Sequence, residues 1–348
     1  MRHFLPEWHP QWGVLLAWPD QHTDWADHLA DAEHCYLNLM DALLDHEGVL
    51  LVCRDPAIEQ RVRNLLAARG TDTRRLVTVV RDYNDTWARD FGPIAVADDD
   101  HPRLLDYTFT GWGSKFASDL DNALNRSLPW QLPLESHPLV LEGGAIDTDG
   151  KGNLLTTRHC LRNPNRNPSL SEAELEQRLR EGLGVNAIWW LNHGELEGDD
   201  TDAHVDTLAR FIDPTTLAYV QCRNHHDSHY PSLAAMEKEL QKLARDHDLK
   251  LVPLPLPTPQ FNPEGERLPA TYANFLISNE KLLLPVYGCD TDQAAIDALS
   301  AVSGTLKVTP IHCRVLIEQH GSLHCITMQL PEGSVDNTTA STAMEDTH

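Results

Sequence analysis

Helical and strand periodicities alternate along this chain, and that alternation confines it to the α/β class. Trp25, Leu29, Ala32, Tyr36, Leu39 and Leu43 recur at steps of four and three, which draws one apolar stripe along a helix with Thr23 or Asp24 as its cap. A strand is predicted over Val49–Cys53. A second helix is predicted from Pro56 to Arg69, with proline in its first turn and Gly70 just beyond its end, and then a strand over Leu76–Val80. Further helices are expected to begin near Ser171, Pro231 and Asp290, each leading into a β-rich run: Ala187–Leu191, Leu249–Leu256 and Leu306–Ile311. These starts lie about 60 residues apart, a spacing compatible with a repeated strand-and-helix unit.

The 348 residues contain no Gly/Ser-rich linker. The Pro-rich stretch 253–263 reads as a loop, because strand-like sequence resumes at Ala273–Ile277 and Leu282–Val286. We expect one domain over residues 1–331 and a polar, disordered tail over 332–348. No apolar run reaches the roughly 18 residues of a membrane span, and the N-terminus lacks a signal-peptide pattern, so a cytoplasmic protein is expected. Seven scattered cysteines without a CxxC pair read as free thiols. The net charge of -24 reads first as a solubility or salt-adapted surface and second as a field that attracts cations; with no basic stripe, it argues against nucleic acid and anionic membrane partners. Nothing in the sequence fixes an oligomeric state, and a homo-oligomer is left open.

Four segments carry candidate chemistry. Asp199-Asp200-Thr201-Asp202-Ala203-His204-Val205-Asp206 would, if extended, place Asp200, Asp202, His204 and Asp206 on one face. That face suits either a hard-metal site or a cation pocket with an acid–base histidine. Asn84-Asp85-Thr86-Trp87-Ala88-Arg89-Asp90 offers an aromatic face between carboxylates, which suits a flat cation. Glu142 ends an apolar run ahead of Gly143-Gly144, an odd place for a carboxylate without a partner. Cys325, in Gly321-Ser322-Leu323-His324-Cys325, is expected to follow a short strand at Val315–Glu318. The histidines His320 and His324 beside it also permit a soft-metal reading. Cys160 follows a histidine in the same way, and local chemistry does not rank the two cysteines.

Taken in order, these motifs closely resemble the agmatine deiminase family, related to the bacterial peptidylarginine deiminases. Linking segments agree: Gly111-Trp112-Gly113, Asn163-Pro164-Asn165-Arg166-Asn167-Pro168 and Leu268–Phe275. The resemblance spans residues 6 to 331. It implies a five-bladed α/β propeller of ββαβ-type units around a central pocket, with no metal and no cofactor. It also implies a Cys325 nucleophile, a His204/Asp206 pair and a guanidinium-gripping Asp90, with Glu142 orienting His204 and Trp87 packing on the substrate. Asp85 is a further substrate-binding candidate, and Asp200 or Glu142 is expected to hold a distal ammonium. The implied reaction is agmatine plus water to N-carbamoylputrescine plus ammonia, a step toward putrescine. Arginine deimination, amidino transfer and metal-dependent hydrolysis at the Asp200–Asp206 run are the alternatives. Ala203, Ser114 and Ser322 stand where many members have glycine.

Overall fold

A computed structural model describes residues 1–336. Its strands form five small sheets, two of four strands and three of three. Each sheet contains an antiparallel pair extended by a parallel strand, so one local plan recurs through the chain. In the sheet of Ala209–Asp213, Thr216–Gln221 and Lys250–Pro255, the first two strands pair antiparallel and the third lies parallel to the second. The helix Tyr230–His247 makes the crossover. Leu276–Ser278, Lys281–Val286 and Lys307–His312 repeat the pattern around the helix Asp292–Ser300. The chain ends meet in another sheet, where Met328–Pro331 pairs antiparallel with Gln11–Ala17.

Local signals explain most boundaries. The helix Pro56–Arg69 starts on Asp55, whose side chain accepts the Ile58 amide, and stops at Gly70 with φ of 76°. Ser171 and Glu174 close a capping box on the helix Glu172–Leu183. The first long helix starts later than expected, at Leu29, because Trp25 and His28 form a separate 3-10 turn ahead of it. Its buried face, including Tyr36, Leu39, Met40 and Leu43, packs against the strand Gly48–Cys53.

Three expectations need correction. Val315–Glu318 is not a strand: Leu316–Gln319 is a 3-10 helix, begun by the Leu316 amide donating to Cys313 and ended by His320 at φ of 66°. The Pro253–Pro263 loop overlaps a strand, since Pro253 and Pro255 pair at a sheet edge where a missing N–H is tolerated. Ordered packing also continues past Pro331, with Ser334 and Val335 buried and the Ser334 carbonyl accepting from Gln131. The rest of the expected tail, 337–348, lies outside the described residues. Among the described residues, no helix is long and apolar enough to cross a membrane.

Candidate active site

A cavity of about 150 Å³ is lined by residues that include Asp24, Asp85, Trp87, Asp90, Asp200 and Cys325, with Trp112, Phe116 and His320 beside them. Asp90 sits in the one-turn helix Ala88–Phe91, directly after Trp87. The amide of Arg89 donates to the Cys325 carbonyl at 3.1 Å, tying this turn to the cysteine. Asp90 is buried, and its oxygens accept from Trp112 Nε1 at 2.9 Å and from the Gly144 amide at 3.0 Å. Trp87 is fixed by donating Nε1 to Asp85 at 3.0 Å. Its ring lies so close to Gly321 that a Cβ there would sit 2.1 Å from it. A side chain at Gly321 would therefore displace the aromatic wall.

The Asp199–Asp206 segment is not extended. Asp199 accepts from the Thr201 and Ala203 amides, and Asp202 and Ala203 turn the chain at φ of 68° and 65°. The four polar side chains consequently split three ways. Asp200 lines the cavity, Asp202 pairs with Lys115 at 2.9 Å and Arg166 at 2.7 Å, and His204 and Asp206 are buried together beside Gly144. This divergence removes the hard-metal site expected from one shared face. Ala203 and Ser114, two of the three departures from glycine, both have positive φ, so each carries strain that glycine would avoid, about 1 kcal/mol. Ser322 does not; its hydroxyl meets Tyr287 at 2.9 Å.

His204 Nδ1 lies 3.6 Å from Asp90 Oδ1, and its Nε2 lies 4.0 Å from Glu142. Glu142 is fully buried and held by Arg166 Nε at 2.9 and 3.0 Å. It therefore cannot reach a distal ammonium, which corrects that expectation, and it acts on His204 only across a gap wider than a hydrogen bond. Burial opposes charge on His204, but Asp90, Cys160 and Glu142 outweigh it and carry its pKa well above the ordinary value. Burial, with Asp206 and Glu142 nearby, pushes Asp90 up to about 6 against the opposing pull of His204. Burial and then the Asp206 and Asp90 carboxylates drive the Cys325 thiol well above its usual range. Asp206 is held below the ordinary carboxylate value: burial works against this, and His324, His204 and Arg210 override it.

The structure separates the two cysteines. Cys325 lines the cavity, whereas Cys160 is fully buried on the Glu142 side of His204. Glu142, Cys160 and His204 bring ligand atoms within 4.8 Å of one another, but the Arg166 guanidinium already serves Glu142 there. The His320–His324–Cys325 metal reading does not assemble. His324 bonds two carboxylates and His320 meets the Gly198 carbonyl. Two positions that touch this cluster were not singled out by sequence. Asn274 Oδ1 takes the His324 amide at 2.9 Å and lies 3.4 Å from Cys325 Sγ, while its Nδ2 donates to the Asp206 carbonyl at 3.3 Å. Glu7, from the chain start, reaches His324 at 2.8 Å. Asn274 lay inside a recognised linking segment, but no local pattern marked Glu7.

The model of the Porphyromonas-type peptidyl-arginine deiminases matches residues 3–331. A protein of Vibrio parahaemolyticus, provisionally named an agmatine deiminase, is 33% identical over 94% of this chain and 96% of its own. Two solved structures are similar throughout. A Cys-to-Ser variant of the C. jejuni agmatine deiminase with substrate bound has a TM-score of 0.90 at 36% identity, covering 96% of this chain and 97% of that one. A Porphyromonas gingivalis protein, provisionally described as an arginine deiminase, has a TM-score of 0.89 at 43% identity, covering 97% and 100%.

Proposed function

Since the chain belongs to the agmatine deiminase family, within the Porphyromonas-type peptidyl-arginine deiminases, and is therefore an enzyme acting on guanidino groups, we propose that its substrate is agmatine. The observation that carries this choice is the charge of the cavity wall. Asp24, Asp85, Asp90 and Asp200 line it, and among the described residues of that wall none is Lys or Arg. Arg89 and Arg166 are buried and committed to Glu7, Gln329, Glu142 and Asp202, so neither is available to a substrate carboxylate. A dication matches such a wall; free arginine or a peptide C-terminus brings an unmatched anion.

In the proposed reaction, Asp90 and Asp206 accept N–H bonds from the guanidinium edges and Trp87 packs against its plane. Cys325 rests as a thiol beside two carboxylates; the bound cation neutralises them and favours the thiolate, whose proton leaves to solvent. Sγ attacks the guanidinium carbon and forms a C–S bond. The C–N bond to one terminal nitrogen then breaks as protonated His204 gives that nitrogen a proton, releasing ammonia and leaving an S-alkylthiouronium. Neutral His204 next takes a proton from water. The hydroxide attacks the same carbon, the C–S bond breaks as the new hydroxyl gives its proton to the departing sulfur, and N-carbamoylputrescine leaves with the Cys325 thiol restored. No metal or organic cofactor enters these steps. Asp200 and Asp85 are placed in this scheme at the distal ammonium.

We place the five sheets as the blades of a propeller around this cavity in a single domain that takes in all the described residues, 1–336. Support comes from the repeated strand plan and from Met328–Pro331 pairing with the first long strand. The assay for substrate is ammonia release from agmatine, free arginine and a C-terminal-arginine peptide. Agmatine is expected to dominate by kcat/KM, and a preference for either arginine substrate would overturn the choice.

A further inference from the structure

Behind the cavity lies a second tier of charge that the reaction scheme does not use. Glu7, Arg89, Asp147, Arg210 and His324 are all buried. Arg210 donates to Glu7 at 2.7 Å and lies 3.3 Å from Asp147, and Arg89 stands 3.7 Å from Glu7. His324 joins this tier to the reacting groups. Its Nδ1 is 2.7 Å from Asp206 Oδ2 and its Nε2 is 2.8 Å from Glu7 Oε2. Asp206 Oδ1, by contrast, is buried and has no hydrogen-bond partner in the protein.

We infer that His324 and Glu7 are positioning residues that hold Asp206 ionised and oriented, with Oδ2 fixed and Oδ1 left as the acceptor for substrate. The inference rests on the reading of Asp206 as a guanidinium-gripping group. A carboxylate with both oxygens free can rotate, and a carboxyl without a donor in a buried place takes up a proton. The His324 ring prevents both. Asp206 is not bonded by either arginine of the tier, so the imidazole is its side-chain donor. Two ring nitrogens at hydrogen-bond distance from two acids require two protons in the chain Asp206–His324–Glu7. Glu7, anchored by Arg210, is the acid that allows His324 to present an N–H to Asp206 rather than a lone pair. Charge on Asp206 is further favoured by His204 and Arg210, with Arg89 behind, and opposed by Asp90 and by Cys325 as thiolate.

The test compares His324→Leu, His324→Asn and Glu7→Gln with the wild type. Asparagine can place an amide donor near the position of Nδ1, whereas leucine cannot. Removing the donor makes Asp206 harder to ionise, so its carboxyl titration, read by carbon-13 in aspartate-labelled protein with the signal assigned through Asp206→Asn, should move to higher pH in His324→Leu by about one unit or more, with kcat falling about tenfold. His324→Asn should restore the Asp206 titration and part of kcat, and Glu7→Gln should shift the titration less than His324→Leu. Should His324→Leu fail to fold, the asparagine and Glu7→Gln proteins carry the comparison. An Asp206 signal whose titration does not move in His324→Leu would overturn the inference, and so would an asparagine variant as impaired as leucine. Wild type that releases no ammonia from any guanidinium would instead overturn the deiminase reading, while the carboxyl titration would still decide the role of His324.

Discussion

Gly144 is where the geometry of the site makes its sharpest demand. A Cβ built there would lie 2.6 Å from His204 Nδ1, 2.8 Å from Asp90 Oδ1 and 3.1 Å from Asp206 Oδ2. One hydrogen-to-methyl change therefore presses on the histidine proposed as acid and base and on both carboxylates proposed to grip the guanidinium. His204 would have to retreat by at least 0.4 Å merely to reach the 3.0 Å that real Cβ contacts respect. Its ring is fully enclosed, so this movement cannot be absorbed locally. Overpacking of this kind costs about 1–3 kcal/mol of stability. Misplacement approaching 1 Å costs about 100-fold in rate, so Gly144→Ala should fold and lose about 10- to 100-fold in kcat. The assay is steady-state ammonia release with agmatine, run beside a thermal melt. Gly304→Ala is the control: its φ of 62° makes alanine strained, but nothing lies within 4 Å of the added carbon. It should lower the melting temperature and leave kcat unchanged. A folded Gly144→Ala enzyme with wild-type kcat would refute the claim that these three groups converge on that backbone position.

Asp90→Asn and Asp206→Asn should each nearly abolish turnover in folded protein, since each removes charge-assisted bonds of about 1.5–3 kcal/mol as well as alignment; wild-type rates in either would remove that residue from the scheme. Asp200→Ala should lower kcat/KM for agmatine by about 2 kcal/mol and affect a tail-less alkylguanidine much less, and equal losses on both would make Asp200 a structural support. Asp85 is pushed up to about 7, first by burial and also by Asp24, while the Thr86 amide and Trp87 pull the other way. KM for agmatine should therefore rise as pH falls through 7, and substitution by Asn should flatten that profile. A carboxyl with a raised folded pKa binds more protons native than unfolded between its two pKa values, so native stability falls as pH rises through that window. Asp85→Asn should accordingly stabilise the protein more at pH 8 than at pH 5, and a gain confined to pH 5 would contradict the assignment.

How much could be read beforehand depended on whether the determining signal was local. Pro56 and Gly70 bracket a helix through their own backbone preferences, and Leu76–Val80 is an apolar β-branched run; these elements lie where the sequence placed them. Asp85, Trp87, Asp90, Asp200 and Cys325 were named together and line one cavity. The two histidine–cysteine pairs looked alike because exposure to a cavity is a tertiary property: Cys325 has it and Cys160 does not. The Asp199–Asp206 run looked like a strand because alternation of acids mimics a two-residue period. Side-chain capping by Asp199 turns it instead. Glu142 looked available because Arg166, which claims it, lies 24 residues away. Glu7 could not be found at all, since its partners Arg210 and His324 lie 203 and 317 residues along the chain.

Rapid quenching of enzyme mixed with agmatine, followed by peptide mass analysis, addresses the central chemistry directly. A transient adduct of agmatine minus ammonia is expected on Cys325, formed together with the first equivalent of ammonia. It should be absent from Cys325→Ser, in which the alcohol cannot be ionised by the same surroundings. Substitution of Cys160 by serine should leave the adduct in place. Turnover with Cys325 unmodified at every quench time, or an adduct carried by Cys160, would contradict the account.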